Sequence, residues 1–155
     1  MVDRKPTSAN PRVSGEYWDM AEEREAKKCV FCDLKEKYVV TSDHQATLTA
    51  NIFPYIDGQL LIVPKRHIET LDELTIKEVF SIHTLMKQGK QILEDTLDIK
   101  NFWIILRDGE KAGKTIRHLH WNIMPYVDRI NTWHYQEITL EPIDLAAKLR
   151  DYIKK

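Results

Sequence analysis

Residues 74–97, LTIKEVFSIHTLMKQGKQILEDTL, space their apolar side chains in steps of three and four, and no other stretch of the chain does so over such a length. Ile76, Val79, Phe80, Ile82, Leu85, Met86, Ile92 and Leu93 carry the pattern, which predicts one long helix. Thr75 and Glu78 stand three apart at its start, the spacing of a capping box in which each side chain satisfies a backbone donor of the first turn. Gly89 weakens the helix modestly. Around it the periodicity is that of strands. KYVVT and ATLTANI flank the turn-like SDHQ and predict a hairpin. GQLLIVP gives a third strand, opened by Asp57-Gly58 and stopped by Pro64, while NFWIILR (101–107) and HLHWNIMPY (118–126) give two more. The tail EPIDLAAKLRDYIKK predicts a last helix with Pro142 in its first turn. Strands in runs around one helix predict an α+β fold: an antiparallel sheet, one long central helix and a C-terminal helix.

At 155 residues, 43% of them hydrophobic, the chain fits one domain with a real core. The polar start, MVDRKPTSANPRVSGEYWDM, predicts a flexible arm over residues 1–20 before a single domain over 21–155, with EYWDMAEEREAKK (16–28) able to form a short helix. That start has no apolar stretch of the kind a secretory signal needs, and the longest aliphatic run, LLIV, is far short of the ~20 residues that span a bilayer. A cytoplasmic protein without a membrane segment is the expectation. The 23 basic side chains nearly balance the 24 acidic ones, which disfavours a nucleic-acid or membrane surface but not a small phosphorylated ligand.

Three constellations can carry chemistry. In a strand, His118, His120 and Asn122 would face one way and Leu119, Trp121 and Ile123 the other. An amphipathic strand needs nothing more, yet neutral imidazole is both a metal ligand and a nucleophile near pH 7. Cys29 and Cys32, the only cysteines, form a C-V-F-C pair too tight to staple distant parts of a fold, so they point to a metal or redox site. A structural zinc would need two more donors. His67 and His118 adjoin strands that could share a sheet edge, and by spacing alone His44, His83 and His134 remain equally available. Finally, RDGEKAGKTIR places Gly109, Gly113, Lys114 and Thr115 before the histidine strand. Such a loop is either an ordinary turn or a source of N–H groups, a hydroxyl and cations for a phosphate, though it lacks the spacing of a P-loop.

Taken together, CVFC, NIFPYIDGQLLIVPKRHIETLDELT and RDGEKAGKTIRHLHWNIMPY resemble, in order, the histidine-triad (HIT) superfamily of nucleotide hydrolases and transferases. The resemblance implies that His120 is the nucleophile that attacks the α-phosphate of a nucleotide and forms a nucleotidyl-histidine intermediate. It assigns Arg107 and Thr115 to phosphate contacts, with Lys114 beside them in the substrate-binding set, and Asn51 to the ribose hydroxyls, with Ile52 walling the base pocket. It also implies Cys29, Cys32, His67 and His118 as ligands of a structural Zn²⁺, and a homodimer joined through the long helix and a strand.

The chain departs from the family at three positions. Asn122 replaces the third histidine; it donates a hydrogen bond but is no general acid, which tilts the reading toward transfer or phosphorolysis, or slow hydrolysis. Arg107 stands where Asn or Gln is common, and its fixed charge favours a dinucleoside polyphosphate as substrate. Gln59 stands where His is frequent. The expected activity is therefore hydrolysis or nucleotidyl transfer at a phosphoanhydride, and the alternative is a nucleotide-binding protein that has lost turnover.

Overall fold

The computed structural model describes residues 29–130 and 136–155. The arm over 1–20, the short helix expected over 16–28 and His134 lie outside the described residues. Five strands, β1 (Val39–Ser42), β2 (Ala46–Ala50), β3 (Leu60–Pro64), β4 (Phe102–Leu106) and β5 (Trp121–Pro125), form one antiparallel sheet in the order β1-β2-β3-β5-β4. The long helix α1 (Ile76–Leu97) enters between β3 and β4, and α2 (Pro142–Ile153) ends the chain. This is the α+β architecture that the periodicity predicts. No helix among the described residues is long and apolar enough to cross a membrane.

Local chemistry explains most boundaries. Asp43 closes the β1–β2 hairpin by accepting from the backbone N–H groups of Gln45 and Ala46, at 2.8 and 2.9 Å, and Ser81 of α1 donates its hydroxyl to the same carboxylate. Thr75 caps α1: its hydroxyl oxygen accepts from the Glu78 N–H while the Glu78 carboxylate accepts from the Thr75 N–H. Pro142 opens α2 at a position where its missing N–H has no partner to lose.

The core lies between the sheet and the two helices. Leu48, Leu60, Ile62 and Ile123 from the sheet meet Leu85, Ile92 and Leu93 of α1 and Leu145 and Leu149 of α2. Gly89 has a positive role here, because a Cβ on it would stand 3.0 Å from Ile123 Cδ1 and 3.2 Å from Leu48 Cδ1; its bare backbone lets α1 approach the sheet.

Two expectations need correction. The first turn of α1 does not bury its apolar residues: Ile76 is 81% and Phe80 75% exposed, and Val79 is exposed too, whereas Glu78 and Ser81 are buried. The helix is turned there so that Glu78 reaches Arg66 and Ser81 reaches Asp43. The histidine strand is also shorter than 118–126, since ladder pairing between β3 and β5 ends at Ile62 and Trp121. The N–H groups of a paired strand point alternately to its two neighbours. Lys65 N–H bonds Gln45 on the β2 side, so position 64 faces β5, where proline has no N–H to offer.

Candidate active site and metal centre

The end of the ladder creates the first element of the site. Pro64 leaves a carbonyl facing the incoming chain, and the buried His118 ring bonds it through Nε2 at 2.8 Å. A carbonyl only accepts, so Nε2 carries the proton and Nδ1 keeps its lone pair. That Nδ1 lies 3.4 Å from Cys29 Sγ and 3.6 Å from Cys32 Sγ, while His67 Nδ1 lies 3.3 Å from Cys32 Sγ. The four donor atoms of Cys29, Cys32, His67 and His118 all fall within 4.8 Å of one another. Around a tetrahedral zinc, bonds of ~2.3 Å to sulfur and ~2.0–2.1 Å to nitrogen set S···N separations near ~3.5 Å, and the observed distances match. No disulfide joins the thiols. The outer shell fits as well: His118 is oriented by the Pro64 carbonyl, and the Glu69 carboxylate lies 3.7 Å from His67 Nε2. The spacing of the cysteines left the remaining two ligands open; the fold brings in His67 and His118 from 35 and 89 residues away.

His120 is fixed differently. Its Nδ1 donates to the His118 carbonyl oxygen at 2.9 Å, which leaves Nε2 as the atom with a free lone pair. Burial pushes its pKa down to about 4, aided by the neighbouring His118 and by the positive charges of Lys114 and Arg107, so the imidazole is neutral at pH 7. Burial also lowers the pKa of His118. The Phe31 ring stands edge-on to His120, with centroids 4.8 Å apart and planes at 62°. Sequence reasoning passed over Phe31; its place between the two cysteines was the available signal, since the turn that carries the cysteines to His118 carries Phe31 with it.

The loop between β4 and β5 supplies the cations. Gly109 and Gly113 take positive φ, 92° and 79°, around a single 3-10 turn at Glu110–Ala112. The Arg107 guanidinium donates to the Gly113 carbonyl at 3.3 Å, the Lys114 ammonium donates to the Glu69 carbonyl, and the Asp108 carboxylate accepts from the Leu71 N–H. Both cations act on His120, and Thr115 lies half-buried in the same loop. Arg107 and Lys114 thus lie near enough to His120 for their charges to bear on its titration.

Asn51 lies across the sheet from this loop. It is buried at the end of β2, its N–H donates to the Gln59 carbonyl, and its side-chain oxygen accepts from the Phe53 N–H. Ile52 beside it is half-buried. Asn122 is held in β5, opposite Leu61 on one side and Ile105 on the other. Its side-chain oxygen accepts from Gln59 Nε2 at 3.1 Å, and the Gln59 side-chain oxygen accepts from the Tyr55 N–H at 2.7 Å. Gln59, noted in the sequence as a departure only, is thus tied to the third position of the histidine motif.

An uncharacterized HIT-like protein of Mycoplasma genitalium is 28% identical over 108 residues, covering 67% of this chain and 77% of that protein. The asymmetrical bis(5'-nucleosyl)-tetraphosphatase of Schizosaccharomyces pombe is 31% identical over 75 residues, which is 48% of this chain and 41% of the yeast enzyme's length. Among solved structures, a Zn-bound histidine triad family protein from Mycobacterium smegmatis superposes with a TM-score of 0.68 at 20% identity, covering 81% of this chain and 93% of that one. The HIT domain matches residues 34–128, more than half of the chain and the whole span from β1 through β5, and the chain belongs to the HIT family.

Proposed function

We propose that the protein cleaves a phosphoanhydride of a dinucleoside polyphosphate or similar nucleotide at the α-phosphate, through a covalent intermediate on His120. The observation that carries this reading is the state of that imidazole: neutral at pH 7, its Nδ1–H committed to the His118 carbonyl, its Nε2 lone pair unspent, and two cations close by. Nε2 attacks phosphorus, a P–N bond forms, and the bridging P–O bond breaks with its electron pair leaving on the departing phosphate oxygen. Water or inorganic phosphate then attacks the same phosphorus, the P–N bond breaks with its pair returning to Nε2, and in the hydrolytic branch the proton lost by the attacking water passes to solvent. Arg107 and Lys114 offset the charge that builds on the phosphoryl oxygens, while Thr115 and Asn51 hold phosphate and ribose.

Asn122 fits a phosphoanhydride better than a substrate with an amine or alkoxide leaving group. A leaving phosphate is stable as an anion near neutrality, its second pKa being ~6, so no general acid is needed. The named activity of the fission-yeast relative, a bis(5'-nucleosyl)-tetraphosphatase, supports the same substrate class.

Zinc would be held by Cys29, Cys32, His67 and His118 in a structural role, fixing the cysteine turn to the segment that carries His120, and the zinc in the Mycobacterium smegmatis protein supports that metal. We infer a homodimer as well, since β4 is an edge strand that exposes Trp103 and Ile104, and α1 exposes Ile76 and Phe80.

The deciding experiment is intact-mass analysis after brief mixing with a dinucleoside tetraphosphate, with and without inorganic phosphate. A nucleotidyl adduct in the wild type and none in His120→Ala is the expected result, with turnover of the variant lower by at least ~10³-fold. Dependence of the product on phosphate separates phosphorolysis from hydrolysis. Full activity in His120→Ala overturns the mechanism.

A further inference from the structure

We propose that Gln59 is a positioning residue that fixes Asn122 as a hydrogen-bond donor, and never an acceptor, toward the reacting phosphoryl group. This rests on the reading of the site as a phosphoanhydride centre, and it extends that reading to a residue outside the histidine motif.

The argument is one of polarity. Side-chain amides are ambiguous by themselves, because either end can be rotated to face a neighbour. Here the ends of the chain of bonds are backbone groups, and they remove the ambiguity. The Tyr55 N–H can only donate, so Gln59 must turn its oxygen to it, at 2.7 Å. Gln59 Nε2 is then the atom left for Asn122, which must answer with Oδ1, at 3.1 Å. Asn122 Nδ2 is thereby turned the other way, toward the Ile105 carbonyl at 3.4 Å, a group that only accepts. A backbone donor at one end and a backbone acceptor at the other permit one orientation of both amides.

Burial makes the orientation firm. Gln59 is fully buried, and among the described residues no buried side-chain nitrogen or oxygen lacks a partner. Reversing the Gln59 amide would set its nitrogen against the Tyr55 N–H and its oxygen against the Asn122 oxygen at a side chain that water does not reach, and the half-buried Asn122 amide takes its orientation from that partner. Asn122 therefore has one N–H of its amide spent on a long bond to Ile105 and a second N–H for a ligand, while its oxygen stays engaged with Gln59. Next to an anionic phosphoryl group, this sign is the useful one.

The test compares three substitutions at position 59 in the full-length, metal-loaded protein, with melting temperature confirming the fold. Gln59→His keeps the polarity, since a neutral imidazole accepts with one nitrogen and donates with the other. Gln59→Glu reverses it: a carboxylate accepts from both sides, so Asn122 must present Nδ2 to it and Oδ1 outward. Gln59→Leu removes the constraint. The expected order of kcat is His above Leu above Glu, with Glu lower than wild type by about 10²-fold, the loss typical of one missing donor to a developing oxyanion, and with KM changed far less. In parallel, the ¹⁵N–¹H resonances of the Asn122 side chain should coincide in wild type and Gln59→His and move in Gln59→Glu. Equal kcat losses for His and Glu, or coincident Asn122 resonances in those two variants, overturn the proposal. Should Gln59→Glu fail to fold, His and Leu decide, and equal losses in those two also overturn it. A wild type without turnover would sink the proposed function alone, because the Asn122 resonances report the relay without any reaction.

Discussion

Replacing Glu78 with Gln should cost stability that grows with pH in a way that identifies its source. The Glu78 side chain is 3% exposed, and Arg66 donates to its two carboxylate oxygens from Nε at 3.0 Å and Nη2 at 2.9 Å, while the Thr75 N–H donates to it at 2.8 Å. The Arg66 guanidinium holds the Glu78 carboxyl down to about 2, against an ordinary 4.5, overcoming the burial that would raise it. At ~1.36 kcal/mol per pKa unit, that depression sets a ceiling of roughly 3.4 kcal/mol at pH 7. Arg66 is half exposed, so solvent screens the pair and about 1–2 kcal/mol is the working figure. For a chain of this length that is roughly 2–8 °C in melting temperature. The sign follows from the depressed pKa: the contribution is complete above pH 4.5 and is lost as pH falls through about 2. The gap between wild type and Glu78→Gln, read by thermal melts from pH 7 down to pH 3, should shrink to less than half by pH 3. A gap of constant size, or none at pH 7, would refute the assignment. The same pair bears on the site, because Arg66 adjoins His67 and also donates to the Glu73 carbonyl. On the proposed zinc site, the Gln variant should bind added zinc less tightly than the wild type.

The His120 imidazole, with its pKa pushed to about 4, should make the rate of adduct formation flat from pH 8 to roughly pH 5 and falling below that; a fall centred near the ordinary histidine value of ~6.5 would contradict its burial. Cys29→Ser should lower bound zinc below one per chain and reduce the melting temperature, both read on purified protein by elemental analysis and calorimetry, and undiminished zinc would remove Cys29 from the ligand set. Trp103→Glu, on the exposed face of the edge strand β4, should convert a dimer to a monomer in light-scattering mass measurements, and an unchanged mass would place the interface elsewhere.

Much of the architecture could be read before folding because its determinants are local. The start of α1 follows from Thr75 and Glu78, three residues apart; the first hairpin follows from Asp43 and the amides two and three residues on; the start of α2 follows from Pro142. Such features depend on backbone geometry over a few positions, and sequence alone determines them. It also determined the paired cysteines and, through the joined motifs, the family.

What only the tertiary structure decided are the relations across long separations. His67 and His118 became partners of the cysteines because the ladder stops at Pro64, whose carbonyl takes the His118 ring and turns Nδ1 to the thiols. Glu78, charged and helical, became a buried residue while Phe80 was left outside, because a bidentate guanidinium partner reached it from the β3–α1 connection. Gln59 and Asn122 lie 63 residues apart, and the β3–β5 register, which sets Asn122 opposite Leu61, brings Gln59 two residues before Leu61 within reach of it. Periodicity states which face a residue is on; which group it meets there is set by how strands and helices stack, and that depends on the whole chain at once.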